Sequence, residues 1–443
     1  MIVCSVFHQR RCWPGALLLA SSSVWAQAAS HSLVGDVAAP AATLTTTAAT
    51  DTAGYGTSLK QAFLAAWLRQ PEAQSQAARQ DAAVAHRQSA NSWTPEPASL
   101  ELSVKSDRMN SNLGRREDSA ALTWPLWLPG ERARAGALAD AEVRASASRV
   151  LAVQLRTAAS VRDSYWQWQR TRGEHALALE RLGNAQQLAL DVAKRVKAGD
   201  LARADQHQAD GAVAAAELGL AEAVSALASA FHQLRTLTGT PPVAALGTDV
   251  VPEPLPDGFV DVAAAQTRHP TLIELVDRAD VARRNADLAR VQTRSSPELT
   301  LSTARDRGLN GEPSQQSITL GIRVPFGSGS RNRAKLSTSQ ADLTEAEGLL
   351  RLEQERLLAE QVSARVRLES AQIQVKAADR RLQLARESRS FFRKSYQMGE
   401  ADLPTRLRIE LEATEAERQS ARSRIDLAAA GSSLRQALGL LPE

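Results

Sequence analysis

The hexapeptide Leu-Arg-Thr-Leu-Thr-Gly at residues 234–239 returns 200 positions later as Leu-Arg-Gln-Ala-Leu-Gly at residues 434–439. Other residues repeat with the same displacement: Pro97, Pro125, Gly199 and Glu217 are matched by Pro297, Pro325, Gly399 and Glu417. Gly and Pro mark breaks in the backbone, so their coincidence indicates a duplicated structural unit. The period is far longer than that of solenoids or propellers. We therefore predict one pseudo-symmetric body made of two copies of this unit.

Each copy is predicted to contain short helices, a β-hairpin and two long helices. The first repeat, residues 58–239, has predicted helices at 58–93, strands at 98–108 and 118–126, and long helices at 130–197 and 202–238. The second repeat, residues 259–440, has predicted helices at 259–294, strands at 298–306 and 316–325, and long helices at 331–397 and 403–438. Between them, residues 240–258 contain five prolines and are predicted to be a non-helical linker.

The strands alternate apolar and polar residues, a pattern typical of strands with one face in an apolar environment. About ten residues per strand is enough for a tilted strand to cross an outer membrane. Trp124 and Trp127, at the end of a strand, are predicted to lie in the aromatic girdle at the membrane interface. The residues expected to face lipid are Leu100, Leu102, Ile318, Leu320 and Ile322, and those expected to face the lumen are Ser99, Glu101 and Arg323.

The predicted helices that follow each hairpin are unusually long. Residues 130–197 contain no proline, and this length corresponds to about 100 Å of helix. The return helix carries a coiled-coil seam at spacings of three and four, formed by Leu220, Val224, Leu227, Phe231 and Leu234. Four strands cannot close a barrel, and an open sheet edge in hydrocarbon leaves backbone groups without partners. Three chains would supply twelve strands, so the pattern favours a trimeric barrel continued by helices; a soluble protein of helical hairpins is the alternative.

The first 28 residues are typical of a signal peptide, with Arg10 and Arg11 before a short apolar stretch and small residues after it. Both cysteines, Cys4 and Cys12, fall in this segment, so no disulfide or lipid-anchored cysteine is expected in the mature chain. Residues 29–57 are predicted to form an extended tail. Without the two arginines, 51 basic residues face 49 acidic ones in an even mixture, which disfavours nucleic-acid binding. No later stretch is predicted to be a transmembrane helix.

No motif indicates catalysis, and we expect no enzyme activity, no cofactor and no metal site. The segment Gly-Ser-Gly-Ser-Arg at 327–331 lacks the Gly-Lys-Ser/Thr ending of a phosphate-binding loop. His207 lies among acidic residues, but a solvated end of a helix explains this better than a metal site. Tyr165, Trp166 and Trp168 are predicted to pack between helices.

The chain resembles the TolC-like outer-membrane efflux family over residues 58–440. The resemblance is carried by Trp-Pro-Leu-Trp-Leu-Pro-Gly-Glu-Arg at 124–132 and Val-Pro-Phe-Gly-Ser-Gly-Ser-Arg at 324–331, together with the turns at 197–201 and 396–403. It implies a mostly helical fold and a homotrimer, in which a twelve-stranded barrel in outer-membrane lipid continues into a periplasmic helical barrel. Such proteins are passive exit ducts of Gram-negative bacteria that dock to a periplasmic adaptor and an inner-membrane pump.

The resemblance also implies a gate at the periplasmic helix tips, where an Asp, a Tyr and an Arg are joined in the family. The matching positions here are Asp205, Tyr396 and Ala401, so the arginine is missing, and Arg203 or Arg406 is the candidate to replace it. The aspartates that narrow the pore of the family archetype correspond to Thr405 and Arg408. The tips expected to dock to the adaptor comprise Gly199, Asp200, Leu201, Gly399, Glu400, Asp402 and Leu403.

The sequence favours an efflux duct that serves a pump of the RND type, with heavy-metal cations as one candidate cargo and drugs or secreted proteins as the others. The alternative from a different class is a periplasmic coiled-coil adaptor or scaffold. An adaptor has one hairpin flanked by small β-domains, whereas this chain is predicted to have two hairpins and little other β structure.

Overall fold

The computed structural model describes residues 57–243, 251–255, 268–327 and 329–443. The predicted signal peptide, both cysteines and almost all of the predicted tail lie outside these residues, as do two parts of the linker and residues 259–267. The described part is mostly helical with one small antiparallel sheet, as expected for the fold class.

The elements occur in the same order in the two repeats. In the first they are α1 (Leu59–Arg69), α2 (Pro71–Ala90), β1 (Ser99–Ser106), β2 (Arg116–Pro125), α3 (Glu131–Ala198) and α4 (Arg203–Thr238). In the second they are α5 (Pro270–Val291), β3 (Glu298–Arg307), β4 (Gln315–Arg323), α6 (Gly329–Gln397) and α7 (Leu403–Ala437). The predicted bounds differ from these mostly by one to three residues, because hairpin pairing rather than local sequence decides where each strand ends.

The four strands form one sheet in the order β1-β2-β3-β4, and β1 and β4 are its two edges. The register aligns Leu100 with Leu122, Leu122 with Leu301, and Leu301 with Leu320. Since directly paired residues share a side of the sheet, these leucines lie on one surface, called here the apolar face. Two further rows of directly paired residues lie on the same face. One row consists of Trp124, Leu299 and Ile322, and the other consists of Leu102, Ala120, Thr303 and Ile318.

The opposite surface, called here the polar face, carries hydroxyl and charged side chains. The hydroxyls of Ser103 and Ser119 are 2.8 Å apart, and Lys105 pairs with Glu117 at 3.5 Å across the same two strands. Arg323 pairs with Glu298 at 3.4 Å at the helix-proximal end. The alternation in the sequence therefore becomes a sheet with two chemically distinct sides.

The contacts between helices define a row of four positions. α3 packs against α2 near the sheet and against α4 farther away, and on its other side against α5 and then α7. α6 packs against α5 and α7. The first position of the row is shared by α2 and α4, the second is α3, the third is shared by α5 and α7, and the fourth is α6. The two edges of the row are therefore α2 with α4 on one side and α6 on the other, just as β1 and β4 are the edges of the sheet.

The main core lies where α1 meets the middle of the long helices. Phe63 of α1 packs with Val161, Trp166 and Trp168 of α3, and with Leu234 of α4. The rings of Tyr165 and Trp166 meet edge to face with centroids 5.1 Å apart. The aromatic residues of α3 thus pack between helices, as predicted.

The predicted seam of α4 is buried only in its C-terminal part. Leu227, Phe231 and Leu234 pack in the main core, whereas Val224 is exposed. The seam needs a partner helix along its whole length, and α3 covers only one side of α4.

The prediction that no stretch after the signal peptide is apolar enough for a transmembrane helix was wrong for α4. By length and composition it is apolar enough to cross a membrane, with a mean hydropathy of 1.4 over 18 residues. Its many alanines raise the hydropathy. α4 packs against α1 and α3, but only 6 % of this 18-residue window is buried among the described residues.

Candidate channel wall and helix-tip site

The apolar face of the sheet ends in aromatic residues at its junction with the helices. Trp124 pairs with Leu299 in the last apolar row, and the indole N–H of Trp127 donates to the carbonyl oxygen of Ser92 at 3.2 Å. Trp93, 92 % exposed, and Phe326, 87 % exposed, lie in the chain segments next to the same junction. No sequence pattern pointed to these two aromatic residues, although each lies within a few residues of a strand or helix boundary.

The two helix hairpins turn at glycines that adopt a left-handed conformation. Gly199 has φ +90° and Gly399 has φ +78°. The amide of Asp200 donates to the carbonyl oxygen of Arg195 at 2.9 Å, and that of Glu400 donates to Ser395 at 3.0 Å. These bonds satisfy carbonyls that the helix ends would otherwise leave without partners, so both long helices end in the same way.

The tips of the two hairpins pack together through a small apolar cluster. Leu188 and Val192 of α3, Ala209 of α4, Tyr396 of α6 and Leu403 of α7 are buried in it. Ala401 and Leu201 are partly buried against the same cluster. The alanine at the position of the family arginine therefore packs with apolar residues.

Tyr396 lies between two guanidinium groups at this tip. The guanidinium carbon of Arg195 is 4.8 Å from the ring centroid and that of Arg406 is 4.6 Å from it, distances suited to cation–π attraction. Asp191 lies 3.5 Å from Arg195 and 4.0 Å from Arg406. The four residues join α3, α6 and α7 in one charged cluster around a buried ring.

The hydroxyl of Tyr396 is buried and has no hydrogen-bond partner among the described residues. Burial raises the pKa of Tyr396 above its ordinary value, while Arg195 and Arg406 act in the opposite direction. Burial likewise lowers the pKa of Arg406, against the attraction of Tyr396 and Asp191.

Asp205 does not bond to Tyr396. Its carboxylate accepts the amide N–H of Ala202 at 3.1 Å and so helps to cap the N-terminus of α4. Arg203 is exposed, and in the described part of the chain no hydrogen bond or ion pair involves it. Of the two candidate arginines, the structure brings Arg406 to Tyr396 and leaves Arg203 apart.

The expected docking residues separate into two groups. Gly199, Asp200, Gly399, Glu400 and Asp402 are exposed at the turns, and Asp402 also caps α7 by accepting from the amide of Thr405 at 3.3 Å. The two leucines of the set point into the tip cluster. The exposed members of this set are therefore glycines and acidic residues, and Lys197, Met398 and Arg203 are exposed beside them.

The sequence analysis did not single out Arg195 and Asp191. They lie four residues apart on α3, a spacing that places two side chains on one side of a helix. This shared side of α3 could be predicted from the sequence. The position of the two side chains near Tyr396 could not, because it depends on the packing of α3 against the second hairpin. Among the described residues, no group of His, Asp or Glu side chains is placed to hold a metal ion.

The long helices α3 and α6 begin next to the strand sheet and end at the hairpin tips. Residues 64–240 match the outer membrane efflux protein family. No curated protein sequence gives a significant match.

Several solved structures share the fold. CusC has 19 % identity and a TM-score of 0.71, with 88 % of this chain and 95 % of CusC covered. The outer membrane protein VceC of Vibrio cholerae has 18 % identity and a TM-score of 0.67, with 86 % and 96 % covered. The outer membrane channel CmeC of Campylobacter jejuni has 13 % identity and a TM-score of 0.69, with 86 % and 85 % covered. The family match over residues 64–240 and the shared fold over most of the chain support the resemblance to TolC-like outer membrane efflux proteins that the sequence indicates.

Proposed function

We propose that this chain forms a homotrimeric exit duct in the outer membrane, part of a tripartite efflux system. The observation that carries the proposal is the sheet, with one apolar face, one polar face and two unpaired edges. In lipid, the backbone groups of β1 and β4 need partners, and the β4 of one copy can pair with the β1 of the next. Three copies close a barrel of twelve strands, with the polar face toward the lumen.

The helices support the same assembly. α6, at one edge of the row, exposes Leu358, Val362, Val366, Ile373, Leu384 and Phe391 along one side. At the other edge, α4 exposes Leu218 and Val224. An exposed apolar stripe as long as that of α6 is typical of a helix that packs against another chain, and a neighbouring copy brings the two edges together.

The hairpin tips would meet a periplasmic adaptor and, through it, an inner-membrane pump of the RND type. Heavy-metal cations are the cargo that the sequence favours, and drugs or secreted proteins are the alternatives. A passive duct needs no side chains that bind its cargo. Susceptibility of a deletion strain to metal salts and to a drug panel, with plasmid complementation, distinguishes these cargoes.

We propose that the cluster around Tyr396 holds the resting gate. Arg406 supplies the positive charge that Ala401 lacks, and it stabilises the tip through the ring of Tyr396 rather than through Asp205. A cation–π contact is worth about 0.5–2 kcal/mol and an exposed ion pair about 0.2–1 kcal/mol, so docking of a partner can displace them together. This gate is weaker than one made of several charge-assisted hydrogen bonds.

Two measurements on the detergent-purified protein test the proposal. Its mass in solution should be that of a trimer, and a monomer that is stable without detergent would contradict the duct. In planar bilayers, Arg406→Gln and Tyr396→Leu should raise the conductance and Ala401→Arg should lower it, whereas Asp205→Ala combined with Tyr396→Phe, which keeps the ring, should change it little. Arg203→Gln is the matched control and should leave it unchanged. If none of these variants changes the conductance, the tips are not the gate.

The competing function, a periplasmic adaptor or scaffold, predicts a protein released with the periplasm. Recovery of the chain in outer-membrane fractions decides between the two. The sheet, which buries neither of its faces within the chain, favours the duct.

A further inference from the structure

The loop end of the sheet carries three arginines on the apolar face. Arg116 of β2 pairs directly with Arg307 of β3, and Asp118 pairs with Arg305. Arg116 and Arg307 lie six residues beyond Leu122 and Leu301, an even number, so they share the side of the sheet on which those leucines lie. All three arginines are exposed.

This arrangement is unfavourable unless an anion is present. Directly opposed residues on antiparallel strands have Cβ atoms about 4.5–5.5 Å apart, and like charges there are destabilising. The one carboxylate on this surface, Asp118, is 3.0 Å from Arg116, and the Nε of Arg307 donates to the carbonyl oxygen of Gly114 at 3.4 Å. Asp118 can neutralise only one of the three guanidinium groups, so two positive charges remain.

The position of the cluster indicates where the anion comes from. From Trp124 to Arg116 this side of β2 spans eight residue steps, about 27 Å along the strand, with apolar side chains as far as Ala120 and the pair of Asp118 and Arg305 one row before Arg116. A tilt of about 40° reduces this to about 21 Å, close to the height of the apolar band of an outer-membrane barrel. The aromatic residues thus mark one headgroup region and the arginines mark the other.

We propose that Arg116, Arg305 and Arg307 bind the phosphate groups of the glycolipid in the outer leaflet of the membrane. Arginine suits this role because its planar guanidinium group donates two parallel hydrogen bonds to a phosphate and stays charged at all physiological pH values. The inference rests on the proposed orientation, in which the hairpin loops face the outside and the helices face the periplasm.

The test measures binding of the detergent-purified protein to diphosphorylated lipid A by native mass spectrometry. Arg305→Gln combined with Arg307→Gln should weaken binding about tenfold. The matched control, Lys105→Gln with Arg323→Gln, removes the same charge from the polar face and should bind as the wild type does. The lysine pair, Arg305→Lys with Arg307→Lys, should fall between them, because charge remains but the two-bond geometry is lost.

Two results would overturn the proposal: equal binding by the two glutamine variants, or equal binding of lipid A and its dephosphorylated form. Competition by inorganic phosphate at low millimolar concentration would also contradict it, because it would point to a free anion as the ligand. Failure of this proposal can be distinguished from failure of the proposed duct. Lipid A binding tests the arginine cluster, whereas conductance and outer-membrane fractionation of the same variants test the duct alone.

Discussion

Arg162, Glu253 and Arg435 form a buried ionic cluster that ties the linker to the helices. Their side chains are 3 %, 2 % and 4 % exposed. Arg162 of α3 donates two hydrogen bonds to Glu253, at 2.9 and 3.0 Å, and Arg435 of α7 donates to the carbonyl oxygen of Pro254 at 2.7 Å. The described linker segment is thereby held between one helix of each repeat.

Replacing Glu253 by Gln should destabilise the protein strongly. Loss of the carboxylate leaves the buried guanidinium group of Arg162 without a counter-charge and leaves Arg435 with Glu443 alone, at 3.2 Å. Breaking a buried pair costs about 3–5 kcal/mol. Asp140→Asn, which removes the partner of the exposed Arg87, is the control and should cost at most about 1 kcal/mol. Denaturant titration followed by circular dichroism measures both. Equal effects would show that the linker is not anchored by this cluster.

The stability of the folded protein is also expected to depend on pH through one buried histidine. His269, at the N-cap of α5, is 2 % exposed, and this burial lowers its pKa below the ordinary value. The positive charge of Arg356 also lowers the pKa, whereas the backbone of Gln436 and the charge of Glu353 raise it. The unfolded chain therefore binds a proton more readily, so this contribution to stability is present above about pH 6.5 and is lost as the pH falls.

The wild-type protein should therefore lose stability on acidification from pH 7 to pH 5, and His269→Gln should reduce that loss. Midpoints of thermal unfolding at several pH values test this. The exposed His86, replaced by Gln, is the control. The same acid sensitivity in wild type and His269→Gln would assign the effect to other groups.

At the scale of elements, the hairpin turns depend on backbone conformation rather than on contacts. A Cβ added at Gly199 or Gly399 would meet no atom within 4 Å, yet both residues have positive φ. Alanine there should cost about 1–2 kcal/mol per site, purely through the backbone. Gly183, within α3, also has free space around it but helical φ, so Gly183→Ala should instead stabilise the protein by up to about 1 kcal/mol. Denaturant titration of the three alanine variants measures these opposite effects.

The same glycines allow a functional test of docking. Valine at both turns should abolish export in a complementation assay while trimers persist in the outer membrane, because the tip surface would be distorted. Export that survives both substitutions would place the adaptor contacts elsewhere.

At the scale of the whole molecule, the two faces of the sheet should tolerate charge differently. Leu320→Arg places a guanidinium group on the apolar face and should cost about 2–4 kcal/mol if that face meets lipid at the membrane midplane. Thr319→Arg, one residue away on the polar face, should cost much less. The amount of trimer in outer-membrane fractions and its thermal midpoint report the difference. Equal tolerance would mean that the apolar face does not contact lipid.

Two kinds of feature could be predicted from the sequence: the duplication, which a repeated pattern of residues marks, and the features that depend only on residues next to one another in the chain. Gly and Pro at a 200-residue displacement indicate the duplication, and the alternation around Leu100 and Leu320 indicates which residues share a side of a strand, since strand periodicity depends only on the backbone. The turns at Gly199 and Gly399 follow from the conformational freedom of glycine.

Only the tertiary structure decided which side chains meet across the repeats. Tyr396 lies between Arg195 of the first hairpin and Arg406 of the second, and Glu253 lies between Arg162 and Arg435; both groupings join residues far apart in the chain. The opposition of Arg116 and Arg307 likewise depends on the register between β2 and β3. Such pairings are set by how helices and strands pack, and a shift of one residue in register would move every side chain of a strand to the other face.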